Sequence, residues 1–351
     1  MTPTVSVIIV AFNSAEPLAL TLPALVRELA DGDELIVVDN ASGDGTIGTV
    51  RHLAPGARVV ERSGNGGFAV GCNAGAAVAT GELLVFLNPD AVPQPGWGAA
   101  IRRPLADGAH AHDAWQALVL EPGAERVNTA GNVVHFTGVA WAGQAGTPVG
   151  AADLRRREVG YLSGACLAVP TARFRALGGF AEPYFLYHED LDLSLRLRLD
   201  GGRLWLEPAA RVEHHYEFDK GGYKWRLMER NRWATLVRDW PGPVLAAVAP
   251  ALAGTELAVW AAAAAGGWAD EKARATGDVA RALPRLVRER RVIQRARRIT
   301  PLEFAGWLEA EPTSAFLGRL ARVGPVRAAL RLYWRAALAA LRRRDRRARR
   351  R

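Results

Sequence analysis

The chain has 351 residues, enough for one large domain or two ordinary ones, and a formal net charge of +9. The charge is uneven, because residues 270–351 carry 23 Lys and Arg against 8 Asp and Glu, whereas residues 1–269 carry 22 against 28. The mildly acidic larger part is typical of a soluble enzyme body. Only Cys72 and Cys166 occur, so a disulfide framework is excluded and a reducing compartment such as the cytosol is favoured. We expect no secretory signal, because the first apolar run has no basic flank.

Residues 1–100 alternate strand and helix patterns, which is typical of a mostly parallel sheet. The strands are predicted at Val5–Phe12, Glu34–Asp39, Arg58–Arg62 and Glu82–Leu87, and the helices at Ala15–Ala30 and Gly67–Ala79. Open α/β sheets bind ligands at the carboxyl ends of their strands. The polar residues that follow each predicted strand are therefore the first candidates for a functional site.

The pattern is less regular beyond residue 100. Residues from about 110 to 160 are Gly-rich and contain Trp, which favours an antiparallel excursion. Later strands are predicted at Tyr161–Pro170 and Arg203–Leu206, and later helices at Thr171–Leu177, Leu191–Leu199 and Trp225–Trp240. The composition changes after Pro241, which predicts one domain over residues 1–241 and a helical extension over residues 242–351.

A candidate metal site follows the fourth predicted strand. The apolar run Leu83–Leu87 leads directly into Asn88, Pro89 and Asp90. Mg²⁺ is usually held by only one or two protein carboxylates together with substrate phosphates. Asp90 therefore suits Mg²⁺ or Mn²⁺, with Asn88 as a neutral oxygen ligand. The alternative is an ordinary strand-ending turn, because Asn-Pro and Pro-Asp are common turn dipeptides.

Two loops at the same predicted sheet edge suit a nucleotide. Asp39 and Asn40 directly follow the second strand and can contact a nucleobase edge, while Ser42 caps the next helix; an ordinary Asx-rich turn is the alternative. The Gly-rich loop at residues 64–69 opens a helix whose amide groups suit a diphosphate. It does not follow the first strand, so it is not a typical dinucleotide-binding fingerprint.

A second cluster of acids begins at His188. Glu189 and Asp190 precede a helix with apolar Leu191 and Leu195, and the helix dipole there favours ionised carboxylates. An ionised Asp at such a position suits a general base, although simple helix capping explains the same acids. Further along, His214 and His215 are adjacent on a predicted extended segment, so at most one of them faces a metal.

The extension combines an uncharged segment with basic ones. Val244–Trp268 is Ala-rich and contains one acid, Glu256, which leaves a spanning helix, an interfacial helix and a packed soluble helix as alternatives. Lys272–Arg298 and Arg342–Arg351 are Arg-rich and are either solvated or bound to an anionic surface.

Taken in order, these motifs resemble the family-2 glycosyltransferases of GT-A fold, particularly bacterial rhamnosyltransferase-like members. The resemblance covers about residues 4–240 and includes Val7–Asn13, Val37–Thr46, Asn65–Phe68 with Asn73, Leu87–Asp90, Gly178–Phe180 with Tyr187–Leu193, and Pro208–His214. One departure is Asn88 at the first position of the family's Asp-x-Asp metal motif. Because Asn88 is a neutral ligand, Asp90 and His214 become the more important predicted metal ligands.

The resemblance implies roles for individual residues. The nucleotide sugar would be bound by Asn13, Asp39, Asn40, Ser42, Asn65, Gly67, Phe68, Asn73 and Asn88. Asp90 and His214 would hold Mg²⁺ or Mn²⁺, and Gly164 and His188 would contact the acceptor. Asp190 would be the catalytic base, with Glu189 as the reserve candidate.

The family implies an α/β fold with a nucleotide-sugar half over about residues 1–100 and an acceptor half over about residues 101–241. It also implies inverting, metal-dependent transfer of a sugar from dTDP-rhamnose or a UDP-sugar to a glycan or polyprenyl-diphosphate-linked acceptor in cell-envelope polysaccharide synthesis. The basic extension predicts a cytoplasmic enzyme that is peripheral at the anionic inner face of the cell membrane.

Two other function classes remain open at this point. A sugar nucleotidyltransferase would carry a Gly-rich, basic loop after the first strand, where this chain has Asn13–Glu16. A non-catalytic membrane or nucleic-acid adaptor would use the Arg-rich extension but would leave the ordered carboxylates unexplained. We expect no nucleic-acid partner.

Overall fold

The computed structural model describes residues 2–108, 113–216, 222–312 and 323–349. Residues 109–112 of the irregular stretch, and Arg350 and Arg351 of the basic terminus, lie outside this description. The chain divides into two compact units. The first unit comprises residues 1–132, 142–197 and 202–217, and the second comprises residues 133–141, 198–201 and 218–351.

The first unit is built on one large sheet. Its strands are β1 (Val5–Ala11), β2 (Glu34–Asp39), β3 (Arg58–Glu61), β4 (Leu83–Leu87), β5 (Ala91–Pro93), β6 (Ala114–Leu120), β7 (Val127–Thr129), β10 (Arg157–Glu158), β11 (Cys166–Pro170) and β12 (Leu204–His214). Two short strands, β8 (Asn132–Val134) and β9 (Ala140–Ala142), form a separate pair. Strands β3, β2, β1 and β4 are mutually parallel, as predicted. Strand β11 runs antiparallel to both β4 and β6, which makes the whole sheet mixed.

Helices follow the strands along the chain. They are α1 (Ala15–Glu28), α2 (Thr46–Leu53), α3 (Gly67–Val78), α4 (Trp97–Ala106), α5 (Thr171–Ala176) and α6 (Glu189–Leu199). The later helices are α7 (Tyr223–Asp239), α8 (Gly242–Ala265), α9 (Ala269–Ala296), α10 (Pro301–Ala305) and α11 (Gly324–Arg349).

Both faces of the large sheet are buried, which explains the continuous apolar runs of its central strands. Successive side chains of a strand point to opposite faces. Accordingly, Ile9 belongs to the core cluster that includes Leu18 of α1, whereas Ile8 belongs to the cluster that includes Ala69 and Cys72 of α3. Both cysteines are buried free thiols.

Several predicted boundaries were wrong in the second half of the sheet. The strand predicted from Tyr161 begins only at Cys166, and the short strand predicted to end at Leu206 continues to His214. The pairing of β12 with β6 shifts between Glu207 and Arg211, so the irregularity around Pro208 hid the continuation. The stretch from 110 to 160 also contains β6, a wholly buried strand that the sequence pattern did not predict.

The second unit contains one long apolar helix. Helix α8 has a mean hydropathy of 1.6 over its most apolar window and only 17% of that window is buried. Its one acid, Glu256, contacts Arg232 of α7 at 2.8 Å and Lys272 of α9 at 2.5 Å. The carboxylate that would be costly in an apolar surrounding is therefore neutralised by cations within the unit.

Candidate active site

The loops after β1 and β2 are joined by hydrogen bonds. The backbone N–H of Asn13 donates to Oγ of Ser42 at 2.9 Å, and the N–H of Gly43 donates to Oδ1 of Asn13 at 2.8 Å. Asn13 has a φ of 50°, a left-handed conformation that Asn tolerates better than most residues. The adjacent parallel strands thus bring Asn13 and Ser42 together at the carboxyl edge of the sheet.

Asp39 and Asn40 are buried at this edge with unused acceptor atoms. Oδ2 of Asp39 accepts from the N–H of Ser42 at 3.1 Å, and Nδ2 of Asn40 donates to the carbonyl of Gly67 at 3.0 Å. The Oδ1 atoms of both residues are buried and have no hydrogen-bond partner among the described residues. A buried acceptor without a donor is costly, so both atoms suit a ligand that presents N–H groups.

The Gly-rich loop packs against the segment that precedes the paired acids. Oδ1 of Asn65 accepts from the N–H of Gly67 at 2.9 Å, and the N–H of Phe68 donates to the carbonyl of Phe185 at 2.8 Å. Gly67 has a φ of 81°, and a Cβ at this position would lie 2.5 Å from Phe185. Glycine is required there for both reasons.

The side chain of Asn73 joins helix α3 to the loop that follows α5. Its Nδ2 donates to the carbonyl of Phe180 at 2.9 Å, and its Oδ1 accepts from the N–H of the same residue at 2.9 Å. Nδ2 also lies 3.2 Å from Oε1 of Glu182. These hydrogen bonds stabilise the loop after α5 against α3. They also occupy the side-chain amide of Asn73, to which the family resemblance assigns nucleotide-sugar binding.

The predicted metal residues come together at the ends of β4 and β12. Nε2 of His214 lies 3.1 Å from Oδ1 of Asp90 and 3.2 Å from the side-chain amide of Asn88. β12 pairs with β5, which directly follows Asp90, and the N–H of His215 donates to the carbonyl of Asp90 at 2.9 Å. His214 is buried and His215 is exposed, as the alternation along a strand predicts.

The donor set of Asp90, His214 and Asn88 fits a divalent ion that is shared with a substrate. Ligand atoms at right angles around Mg²⁺ lie roughly 3 Å apart, which is close to the separations among these side chains. Throughout the described ranges, no group of three or more His, Cys, Asp or Glu side chains is arranged to hold a metal. The site therefore suits an ion that takes further ligands from diphosphate oxygens and water.

Glu189 and Asp190 begin α6, and their environments differ. Oδ2 of Asp190 accepts from the N–H of Gly164 at 3.0 Å, and its Oδ1 accepts from the N–H of Leu191 at 2.7 Å. Burial raises the pKa of Asp190 to about 6, although these two backbone bonds oppose the rise. Burial, followed by the charge of Asp190, raises the pKa of Glu189 well above its usual range. Near neutral pH, Asp190 is thus mainly ionised, while burial and the charge of Asp190 disfavour the ionised form of Glu189.

The segment before these acids has a strained backbone. Phe185, Tyr187 and His188 have φ values of 65°, 68° and 66°, which are uncommon for residues other than glycine. His188 is half-buried, and its carbonyl accepts from the N–H of Asp192 at 2.8 Å. Sequence reasoning missed Phe185, because neither its strain nor its contact with Gly67 leaves a local sequence signal. Such strain persists only where surrounding contacts enforce it and is frequent at functional sites.

Gly164 and Ala165 connect the candidate base to the candidate metal motif. Its N–H binds Asp190, and the carbonyl of the next residue, Ala165, accepts from the N–H of Asn88 at 3.0 Å. Two consecutive residues directly before β11, Gly164 and Ala165, therefore hold the candidate base and the candidate metal motif.

Comparison with known proteins shows which glycosyltransferases the chain resembles. Residues 6–131 match the family model described as Glycosyl transferase family 2. An N-acetylglucosaminyl-diphospho-decaprenol L-rhamnosyltransferase of Mycobacterium tuberculosis is 28% identical, with 63% of this chain and 79% of the relative covered. An O-antigen biosynthesis protein of Myxococcus xanthus is 31% identical, with 49% of this chain and 14% of that protein covered. Over residues 6–131, this chain is similar to glycosyltransferase family 2.

Solved structures of glycosyltransferases share the fold of this chain. The crystal structure of GalNAc-T7 with UDP, GalNAc and Mn²⁺ has a TM-score of 0.57 at 15% identity, and covers 70% of this chain and 50% of that one. A mannosyltransferase of Pyrobaculum calidifontis in complex with GDP-Man and Mn²⁺ has a TM-score of 0.50 at 23% identity, and covers 84% and 86%. These likenesses concern the fold alone, and they confirm the predicted α/β fold of GT-A type.

Proposed function

We propose that this glycosyltransferase moves a sugar from a nucleoside-diphosphate donor to a lipid-linked glycan acceptor, with inversion at the anomeric carbon. The observation that carries the proposal is the shared support of Asp190 and Asn88 by Gly164 and Ala165. A base and a leaving-group site are both needed for such a transfer, and here they depend on consecutive backbone groups. The match to the glycosyltransferase family model favours this reaction over a sugar nucleotidyltransferase and over a non-catalytic adaptor.

Asp190 acts as the general base in this proposal. Its ionised carboxylate accepts the proton of the acceptor hydroxyl as that oxygen attacks the anomeric carbon. The raised pKa of Glu189 disfavours a second negative charge beside Asp190. Because no side chain forms a covalent bond to the sugar, the single displacement inverts the anomeric centre.

In this proposal, Asp90, His214 and Asn88 stabilise the leaving diphosphate. A divalent ion bound there would neutralise the charge that develops on the diphosphate, which a glycosidase achieves with a protonated carboxyl group. The Mn²⁺ in the two solved neighbours supports this choice of cofactor. Gly67 and Phe68 begin α3, and the positive end of that helix favours an anionic ligand.

The unpaired Oδ1 atoms of Asp39 and Asn40 favour a base edge with N–H groups. Uracil, thymine and guanine all present such an edge, so a UDP-sugar and dTDP-rhamnose both fit. The L-rhamnosyltransferase relative supports a rhamnose donor such as dTDP-rhamnose, and the N-acetylglucosaminyl-diphospho-decaprenol in its name supports a polyprenyl-diphosphate-linked acceptor. Oxygens of Asn13, Ser42 and Asn65 complete this side of the proposed nucleotide site.

Residues 242–351 would keep the enzyme at the inner face of the cell membrane. Helix α8 exposes apolar side chains such as Leu257 and Trp260, while Glu256 is paired inside the unit. An apolar face together with a basic region gives the two signals that stable peripheral binding needs. Such a position suits an acceptor whose lipid cannot leave the bilayer.

The test is a thermal-shift screen of UDP-, dTDP- and GDP-sugars with Mn²⁺. A ligand that binds only the folded state raises the melting temperature. We expect one nucleotide class to raise it in the wild type and to lose most of this effect in Asp39→Asn, which turns one oxygen acceptor into a donor. The absence of any donor-dependent shift would contradict the proposal.

A further inference from the structure

The second unit contains a cavity that no step of sugar transfer uses. It has a volume of about 480 Å³ and lies between the amino terminus of α8 and the last turns of α9. Its polar lining consists of Gln294 and four arginines, Arg290, Arg291, Arg295 and Arg297, beside Gly242. Within the described ranges, no carboxylate contributes to the lining. We name this site the arginine cavity.

Two of the four guanidinium groups are anchored by backbone carbonyls. Nη1 of Arg290 donates to the carbonyls of Val237 and Trp240, both at 2.7 Å. Nη1 of Arg297 donates to the carbonyl of Ile299, and its Nε is buried without a hydrogen-bond partner among the described residues. Neutral carbonyls hold these groups in place without adding negative charge, and the carboxylate of Asp239 offsets part of the charge of Arg290.

The other two arginines have no protein partner in the part of the chain that the structure describes. Arg291 and Arg295 are exposed, and neither guanidinium group forms a hydrogen bond or an ion pair there. Three arginines of α9 that lie away from this end are ion-paired, and Arg285, for example, lies 3.5 Å from Glu289. The arginines that line the cavity therefore carry more positive charge than the lining itself neutralises.

The amino terminus of α8 adds charge of the same sign. Gly242 is the first residue of this 24-residue helix, and helix amino termini carry partial positive charge. Pro243 has no N–H, and the N–H groups of Val244 and Leu245 donate to the carbonyl of Pro241, so the helix contributes charge rather than free donors. The negative end of α9 offsets part of this charge but supplies no acceptor to Arg291 or Arg295. Guanidinium groups match tetrahedral oxyanions with paired hydrogen bonds, and phosphate is the common biological one.

We propose that the arginine cavity binds a phosphate group, either as the head group of a lipid or as a soluble phosphate or diphosphate. The four arginines supply the donors, and the amino terminus of α8 adds partial positive charge. The cavity volume lies within the range of small-ligand sites and exceeds what a single phosphate fills, so a phosphate ester or a diphosphate fits. This site is separate from the proposed catalytic residues and does not depend on the proposed reaction.

The experiment measures thermal shifts of the full chain with inorganic phosphate and with pyrophosphate in EDTA, at constant ionic strength set by chloride. The test variant is Arg291→Gln/Arg295→Gln, which removes two exposed guanidinium groups that support no fold contact. The matched control is Arg288→Gln/Arg335→Gln, which removes the same charge from exposed positions outside the lining. We expect an apparent phosphate affinity roughly tenfold weaker in the test variant and unchanged in the control.

Vesicles distinguish the two sources of phosphate. We compare phosphatidic acid, which carries a phosphomonoester, with phosphatidylglycerol at matched surface charge. Preference for phosphatidic acid that the test variant loses assigns a lipid head group, whereas a pyrophosphate shift without such a preference assigns a soluble ligand. Equal responses of the test and control variants to all these probes, or an equal response to chloride alone, would overturn the proposal. None of these readouts involves sugar transfer, so failure here leaves the proposed function unaffected.

Discussion

The N–H of Gly164 donates to Oδ2 of Asp190 at 3.0 Å and fixes the carboxylate at the start of α6. The second oxygen of Asp190 accepts from the N–H of Leu191. Gly164 was predicted to contact the acceptor, and the structure shows that its N–H orients the candidate base. A carboxylate held by two backbone donors is positioned before substrate arrives.

The first prediction concerns the identity of the base. Asp190→Asn keeps the shape of the side chain but cannot accept the acceptor proton, so we expect turnover to fall roughly a thousandfold with little change in donor affinity. Glu189→Gln is the matched control, because burial disfavours the charged form of Glu189, and we expect this variant to lose less than tenfold in turnover. A larger loss in Glu189→Gln than in Asp190→Asn would assign the base to Glu189.

The second prediction is the pH dependence of transfer. The base must be ionised to accept a proton, and burial raises the pKa of Asp190 to about 6. We therefore expect kcat/KM to fall about tenfold per pH unit below this value and to level off above it. The measurement is a pH profile at constant ionic strength with saturating metal. A flat profile between pH 5 and 8 would contradict the assignment.

The third prediction concerns the metal. Asp90→Ala removes the carboxylate oxygen that lies 3.1 Å from Nε2 of His214, so we expect the Mn²⁺ concentration for half-maximal activity to rise at least tenfold. Asn88→Ala removes a neutral ligand and should raise it by less. The measurement is a metal titration after treatment with EDTA. Full activity of the wild type in EDTA would show that these residues have no metal role.

The sequence was most informative where buried strands end. The apolar runs of β2 and β4 predicted the places of Asp39, Asn88 and Asp90, because strands buried on both faces have continuous apolar sequences. β12 was predicted too short, since its pairing shifts near Pro208 and half-buried residues interrupt its pattern.

Contacts between distant parts of the chain were not predictable from local pattern. The packing of Gly67 against Phe185 joins residues 118 positions apart, and no propensity encodes it. The ion cluster around Glu256 is a similar case, because the acid looked unpaired in an Ala-rich run and its partners lie on other helices. Periodicity reports which side of an element is apolar but not which element covers it.

The fourth prediction tests the contact between Gly67 and Phe185. Gly67→Ala forces a side chain into a left-handed backbone and to within 2.5 Å of Phe185, so we expect a loss of about 2–4 kcal/mol in the free energy of unfolding. Gly64→Ala is the matched control, since no heavy atom lies within 4 Å of the added Cβ. Denaturant titration measures both variants. Equal stabilities would show that the packing at Gly67 is not needed.

The last prediction concerns the exposed face of α8. Leu257 is 73% exposed on this helix, and burying a leucine in an apolar phase is worth roughly 1.5–3 kcal/mol. We therefore expect Leu257→Glu to bind anionic vesicles at least tenfold more weakly than the wild type in co-sedimentation. Leu20→Glu on α1 is the matched control, because Leu20 is 55% exposed in the mildly acidic first unit.

Salt separates the two contributions to this binding. The basic region after residue 269 attracts an anionic surface through charges that salt screens, whereas insertion of the apolar face of α8 is less sensitive to salt. We expect wild-type binding to weaken but persist at high salt, and Leu257→Glu to lose the part that persists. If the wild type ignores anionic vesicles at low salt, or if Leu257→Glu and Leu20→Glu bind alike, α8 does not contact the membrane.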